Sequence, residues 1–268
     1  MKTIFITGAS SGLGSACVKV FSDKGWRVIA TMRNPAAGAA LAQLPNVQVM
    51  QLDVNNLHQL QTVVKEVMAK YPADVVLNNA GHILMGPLEG FTDEQVILQI
   101  TTNLLGPIRI TQAFLPYFRE RSSGLFLNVT STGALLPEPF MALYGATKAA
   151  VETWSTAMRS ELSKVGVRIK TLIPDLMQTS FVSNAQLILH PAYQQWVDKM
   201  LALFSNPDSP LVYDDPADVA TFVYNATVDD SDQLHYLIGN NAIRVGATIE
   251  KEGVENILNY KEKFYFSA

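Results

Sequence analysis

The sequence predicts an α/β fold: a doubly wound, parallel sheet of about seven strands with helices on both faces. Three observations predict it. Short apolar runs alternate with longer stretches of helical periodicity along most of the chain. The runs are apolar without polar alternation, as strands buried on both faces are. The composition is rich in core material: of 268 residues, 48% are apolar and 16% charged, against about 25% charged in a typical soluble domain.

Ile4-Phe5-Ile6 reads as the first buried strand, and residues 8–14 as a glycine-rich turn. Cys17, Val18, Val20 and Phe21 then recur at helical spacing and predict a helix over 15–24. Strands follow over 26–30 and 47–52. Asn56, with Gln59 three residues on, is a capping arrangement that opens a helix over 57–68. Val75-Val76-Leu77 is the fourth strand. Thr92 and Gln95 form a capping box for a helix that runs towards Arg119 with a kink at Pro107. A long helix over 142–165 lies between strands over 125–129 and 167–173. Pro216, after Asp215, takes the first position of another helix. A short strand over 235–238 and a polar, lysine-rich helix complete the pattern.

The stretch from Asp175 to Asp214 breaks the alternation. It carries many apolar side chains, among them Leu176, Met177, Phe181, Trp196, Met200 and Phe204. Placed after a strand end, it reads as a pocket lid or as an extra pair of core helices. No linker, repeat or low-complexity tract divides the chain. Residues 1–268 are therefore expected to form one domain, with an apolar insertion at about 175–214.

Charge and cysteine content exclude several function classes. Twenty Lys and Arg against 24 Asp and Glu give a net charge of −4, which argues against a generally basic nucleic-acid binder. The single cysteine, Cys17, excludes an internal disulfide framework and a cysteine-based zinc site. No charge-free apolar run approaches the roughly 18 residues that span a bilayer, and the segment from Met1 to Thr7 is too short for a signal-peptide core. The expectation is a cytoplasmic protein without a metal, nucleic-acid or membrane partner.

Three motifs carry chemistry. The first strand runs into Thr7-Gly8-Ala9-Ser10-Ser11-Gly12-Leu13-Gly14, a G-x-x-x-G-x-G turn before a helix. Such glycines let the backbone approach a pyrophosphate, and the helix N-terminus presents N–H groups and the positive dipole end to it. Asn78-Asn79-Ala80-Gly81 follows the fourth strand, where small and amide residues suit a ligand passing close to backbone. Tyr144 and Lys148 are four apart on one helix face, so the lysine cation is expected to lower the phenol below its reference of about 10 and make it a usable general acid or base. Ser131, after the fifth strand, places a hydroxyl to polarise a developing oxyanion. Each motif alone has a plain structural reading: a turn, another turn, a surface helix pair. Their weight comes from position, because all three fall beyond the carboxyl ends of strands in a parallel sheet, where ligands bind.

In this order and spacing the motifs resemble those of the short-chain dehydrogenase/reductase family, over essentially the whole chain. The resemblance implies a Rossmann-type fold and hydride transfer at the nicotinamide C4. It implies that Tyr144 exchanges the proton with the substrate oxygen. Lys148 would tune Tyr144 and bind the nicotinamide ribose, Ser131 would orient the carbonyl, and Asn103 would hold a water that links Lys148 to solvent. The implied cofactor contacts are Gly8, Ser10, Ser11, Gly12, Leu13 and Gly14 of the turn, Arg33, Asp53 with Val54 near the adenine, Asn79 near the adenosine ribose, Ala80, Gly81, Tyr144 and Lys148. Pro174 and Thr179 lie in the segment that meets the carboxamide end.

Cofactor choice follows from the end of the second strand, where an acid binds the 2′-hydroxyl of NAD and a cation the 2′-phosphate of NADP. The stretch reads Ile29-Ala30-Thr31-Met32-Arg33, and no acid occurs between Val28 and Leu52. Guanidinium suits both phosphate pairing and stacking on adenine. NADP(H) is expected, with Arg33 as determinant and Ser10 as helper. One departure stands out: Asp175 follows Pro174 where the family usually has Gly. With Gln178 it reads preferentially as a helix cap; the other reading projects it into the pocket mouth.

The substrate side is expected from His82 to Met85, from Ala134, Leu135, Pro137, Phe140 and Met141, and from the insertion. These predict a small hydrophobic ketone or secondary alcohol. The alternative from another class is a catalytically silent NADP(H)-sensing regulator on the same fold, against which the presence of Tyr144 and Lys148 counts. The short region after about Asp214 counts against an epimerase-type relative. The helix with Ala149, Ala150, Val151 and Trp154 suits a homodimer or homotetramer interface, or the core.

Overall fold

The apolar runs become strands of one parallel sheet. In the computed structural model, which describes residues 1–205 and 211–266, the strands are β1 (Thr3–Ile6), β2 (Arg27–Met32), β3 (Val47–Gln51), β4 (Val75–Asn78), β5 (Leu84–Met85), β6 (Gly124–Val129), β7 (Val167–Pro174), β8 (Gln186–Leu187) and β9 (His235–Ile238). Seven of them form a sheet in the order β3-β2-β1-β4-β6-β7-β9, and every pairing in it is parallel. All seven match predicted strands to within a few residues. Residues 206–210 of the predicted insertion lie outside the described residues.

Alternation within β1 explains the apolar runs. Ile4 and Ile6 face one core with Cys17, Val18 and Phe21 of helix α1 (Gly12–Asp23) and Val219 and Val223 of helix α8 (Pro216–Val228). Phe5 faces the other core, against α2 (Leu57–Lys70), α4 (Gly106–Arg121) and the distal end of α5 (Ala142–Ser163). There Phe5, Phe114, Phe118 and Phe126 form a chain of ring contacts with centroids 4.9 to 6.0 Å apart. A strand covered on both faces needs apolar side chains at every position.

The winding reverses between β1, which continues to β2 and β3, and β4, which continues to β6. The carboxyl ends of β1 and β4 thus flank the switch point, where such sheets bind ligands. Sequence signals set the helix starts: Asn56 Oδ1 accepts from Gln59 N at 2.9 Å, Thr92 and Gln95 form the predicted capping box, and Asp215 caps α8 through Ala217 N.

Three elements differ from expectation. The helix from Thr92 is not one kinked rod. It is α3 (Asp93–Ile100), a π-helical turn over Thr101–Leu105, and then α4; the break precedes Pro107. The last predicted helix is two, α9 (Asn240–Glu252) and α10 (Val254–Phe266), separated at Gly253 with φ +77°. The insertion folds as α6 (Ser180–Ser183), β8 and α7 (Gln194–Ser205). Its β8 pairs with β5, and its base is closed by a bridge between Met177 and Asp214. Among the described residues no helix is long and apolar enough to cross a membrane.

Candidate active site

The turn after β1 is packed too tightly for side chains at Gly8 and Gly14. Gly8 has φ +66°, and a Cβ there would lie 2.7 Å from Ala80 Cα; a Cβ on Gly14 would lie 2.4 Å from the Gly8 carbonyl oxygen. Thr7 and Asn79 lock the two strand ends together. Thr7 Oγ1 accepts from the backbone N–H of Asn79 and Ala80, each at 3.0 Å, and Asn79 Nδ2 donates to the carbonyls of Thr7 and Gly8 at 3.0 Å. Ser11 precedes α1 in extended conformation and makes no side-chain cap. The first-turn N–H groups of α1 are therefore not capped by Ser11, and among the described residues no side chain accepts from them, which suits an anion.

A cleft of about 470 Å³ opens at this point. Of the residues assigned to the cofactor, Gly8, Ser10, Ser11, Gly12, Leu13, Arg33, Asp53, Val54, Asn79, Ala80, Gly81, Pro174 and Thr179 line it, together with Ser131, Tyr144 and Lys148. Gly14 packs behind the turn. Asp53 accepts from Asn55 N at 2.9 Å in a local turn. Arg33 is exposed, and among the described residues it forms no ion pair. Met32, 2% exposed, is turned inward onto Gly38.

Asn103 does not reach the cleft. It is 1% exposed and sits in the π-helical turn, a feature common at functional sites. Its Oδ1 accepts from His82 N at 3.0 Å and its Nδ2 donates to the His82 carbonyl at 2.9 Å. Its side chain thus holds the segment after β4. A Cβ on Gly81 would fall 3.3 Å from Asn103 Oδ1 and 3.8 Å from Lys148 Nζ, so Gly81 lies against both groups.

Ser131, Tyr144 and Lys148 converge, with one correction to the expected electrostatics. Lys148 Nζ donates to the Val129 carbonyl at 2.8 Å and lies 5.8 Å from the Tyr144 ring centroid. Burial pushes the phenol up to about 12; the hydrogen-bonded Ser131 hydroxyl pulls it back, and the Asp175 carboxylate pushes it up further. The expected lowering by Lys148 is not seen, because desolvation outweighs an ammonium group engaged with a carbonyl. Burial brings Lys148 down to about 8, while the Glu152 carboxylate holds it up. At neutral pH the pair is thus a protonated phenol beside a charged lysine.

Asp175 is also corrected. It caps no helix: Thr179 is the cap of α6, accepting from Phe181 N at 3.3 Å. Asp175 Oδ1 instead accepts from Thr132 Oγ1 at 2.6 Å, and the residue lines the cleft. Its charge opposes ionisation of Tyr144, so Asp175→Asn is expected to lower the phenol by up to about one pH unit. Tyrosinate absorbance against pH, with Tyr144→Phe subtracted, reads this shift; an unchanged midpoint would separate Asp175 from Tyr144.

On the substrate side His82, Ile83, Met177, Phe181, Asn184 and Gln186 line the cleft. A second chamber of about 690 Å³ shares Met177, Thr179 and Ser180 with it and adds Met85, Val182, Leu187, Leu201 and Phe204. Ala134, Leu135 and Pro137 line neither. Phe140 and Met141 pack with Tyr144 in the cluster that also holds Val197, Met200 and Tyr265. The insertion is therefore both wall and core. No motif in the sequence marks Tyr265: α10 returns to the cluster around Tyr144, where Tyr265 donates to Glu138 at 3.2 Å and Lys261 pairs with Glu138.

Sheet order and glycine turn define a Rossmann-like α/β protein. The family model for short chain dehydrogenases matches residues 2–187. An uncharacterized oxidoreductase of Schizosaccharomyces pombe is 32% identical over 223 residues, 79% of this chain and 90% of that protein. The crystal structure of a short-chain dehydrogenase from Streptomyces avermitilis superposes with a TM-score of 0.84 at 30% identity, covering 98% of each chain. A serine dehydrogenase complexed with NADP+ is similar at TM-score 0.75 and 28% identity, over 87% of this chain and 94% of that one. The chain belongs to the short-chain dehydrogenase family of oxidoreductases.

Proposed function

We propose that the protein is an NADP(H)-dependent reductase or dehydrogenase acting on a hydrophobic ketone or secondary alcohol, with Tyr144 as general acid/base. The observation that carries this reading is one cleft bounded by the uncapped N-terminus of α1 and by Ser131, Tyr144 and Lys148. The residues fit a nicotinamide dinucleotide: the turn has no room for side chains at Gly8 or Gly14, and Arg33, exposed and without an ion pair among the described residues, offers a cation for a 2′-phosphate. The NADP+-bound relative supports the same choice.

When bound, the cofactor supplies or accepts the hydride. Ser131 Oγ and the Tyr144 hydroxyl hold the carbonyl oxygen, and in reduction Tyr144 gives it the proton. A phenol held near 12 is fully protonated at neutral pH and is ready as an acid. Lys148 keeps a positive charge beside the oxygen that becomes phenolate. The glycine turn, Asp53, Asn79 and Arg33 would hold the adenosine half, while Pro174 and Thr179 would lie towards the nicotinamide end. The chamber lined by Met85, Leu187, Leu201 and Phe204 supports an apolar substrate.

The test is a panel of ketones and secondary alcohols followed by NADPH absorbance, with Tyr144→Phe as control. Turnover of bulky apolar members, lost in the control, is the expected result. Tight NADPH binding without turnover of any class would overturn the reading in favour of a nucleotide-sensing protein.

A further inference from the structure

Helix α5 carries a third ionisable side chain in line with the reacting pair. Glu152 lies one turn beyond Lys148, at the spacing that separates Lys148 from Tyr144. It is 9% exposed, and a carboxylate so buried needs partners for both oxygens. It has them. Thr130 Oγ1 donates to Oε1. Oε2 accepts from Thr171 Oγ1 at 2.9 Å and lies 2.8 Å from His235 Nδ1. The residue after β6, the middle of β7 and the start of β9 are thus tied to α5 through one carboxylate.

Two contacts direct this cluster at the site. Thr130 sits between Val129, whose carbonyl holds Lys148 Nζ at 2.8 Å, and Ser131. On the outer side, the His235 side chain is 48% exposed, so the contacts run from solvent to the lysine. None of the steps proposed above uses Glu152, Thr171 or His235. We propose that Glu152 is the positioning residue of the reacting pair: it supplies the buried negative charge that faces Lys148, and through Thr130 it fixes the strand end bearing the Val129 carbonyl and Ser131, with His235 as its outer partner.

The proposal rests on the part given to Lys148 in the proposed function, but the charge state of Lys148 is measurable without substrate or cofactor. Lys148 faces Tyr144 and Glu152 on its own helix and His82 from the segment after β4. Asp175 bears on Tyr144. Glu152 faces His235 from β9, with Thr130 and Thr171 as neutral donors. Burial alone drives Lys148 towards the neutral amine, and Glu152 is the group that opposes it. An isosteric amide removes that opposition and keeps an acceptor for Thr130.

The experiment is an NMR pH titration of 13C-lysine-labelled protein, with the Lys148 signal identified by its loss in Lys148→Met. The wild-type midpoint is expected near 8. Glu152→Gln is expected to lower it by about one pH unit, the effect of removing a nearby opposite charge. His235→Lys, at an exposed position, sets a permanent cation against Glu152 and is expected to lower it by a smaller amount. A purely structural Glu152 would reduce thermal stability without moving the midpoint. If Glu152→Gln does not fold, His235→Lys decides alone. A Lys148 midpoint equal to wild type in the folded variants overturns the proposal. Absence of turnover in the ketone panel would overturn the proposed function and leave this titration standing.

Discussion

Tyr144→Phe is expected to lower kcat for ketone reduction by about a hundredfold to ten-thousandfold, the usual worth of a positioned proton donor, while NADPH affinity changes by no more than a few-fold. In the proposed function the two effects separate because the phenol oxygen would carry the proton chemistry, whereas a pyrophosphate would sit against Gly8, Gly12 and the start of α1. The ring itself stays, packed 6.2 Å from Phe181 between centroids, so the pocket wall survives the change. The hydroxyl that leaves is the partner of Ser131; Ser131 still accepts from Gly133 N at 3.0 Å and keeps its place. Stopped-flow reduction and NADPH fluorescence titration on the same preparation check both halves. A variant that retains more than about a tenth of wild-type kcat would remove Tyr144 from the proton-transfer step.

The sign of the pH dependence follows from the same residue. In the proposed function reduction uses the acid form of Tyr144, and with its pKa pushed up to about 12 the rate should not fall across the neutral range through loss of this proton. In oxidation the phenolate is needed, so the rate should rise with pH. Lys148, near 8, loses its charge first, which limits how far that rise continues.

Legibility of the fold and site followed the range of the interactions involved. Ile4, Phe5 and Ile6 were readable as a strand because burial on both faces demands only that each be apolar. The caps at Asn56 and Thr92 were readable because donor and acceptor are within three residues. Asp175 was misread for the complementary reason. Asp-x-x-Gln fits a cap, but the carboxylate took the Thr132 hydroxyl, 43 residues away in sequence. The π-helical turn at Thr101–Leu105 keeps the apolar spacing of an ordinary helix, and what marks it is the bond from Asn103 to His82, 21 residues earlier. The expected fall in the Tyr144 pKa failed because the i, i+4 lysine was visible but the desolvation of the phenol was not. Glu152 had a signal, one more step of four along the same helix face, whose meaning required the strands that bring Thr130, Thr171 and His235 to it.

Arg33→Asp is expected to shift the ratio of NADPH to NADH efficiency by roughly a hundredfold towards NADH. A hydrogen bond to a charged group contributes about 1.5–3 kcal/mol, and each 1.4 kcal/mol is about tenfold, so loss of the guanidinium alone costs roughly ten- to a hundredfold with NADPH. The introduced carboxylate adds repulsion against the 2′-phosphate and an acceptor for the 2′-hydroxyl of NADH, which widens the ratio from both sides. Arg33→Ala should therefore move it less than Arg33→Asp. Folding should be unaffected, since the side chain is exposed and its residue is tied in through its backbone carbonyl, which accepts from Gln51 Nε2 at 3.1 Å. Because the group is exposed, the NADPH effect should shrink as salt rises, whereas a steric effect would not. Steady-state kinetics with both cofactors at two ionic strengths decide the matter. An unchanged ratio would place the phosphate on other groups of the cleft, with Ser10 and the α1 N-terminus first, and would remove the NADP(H) preference from Arg33.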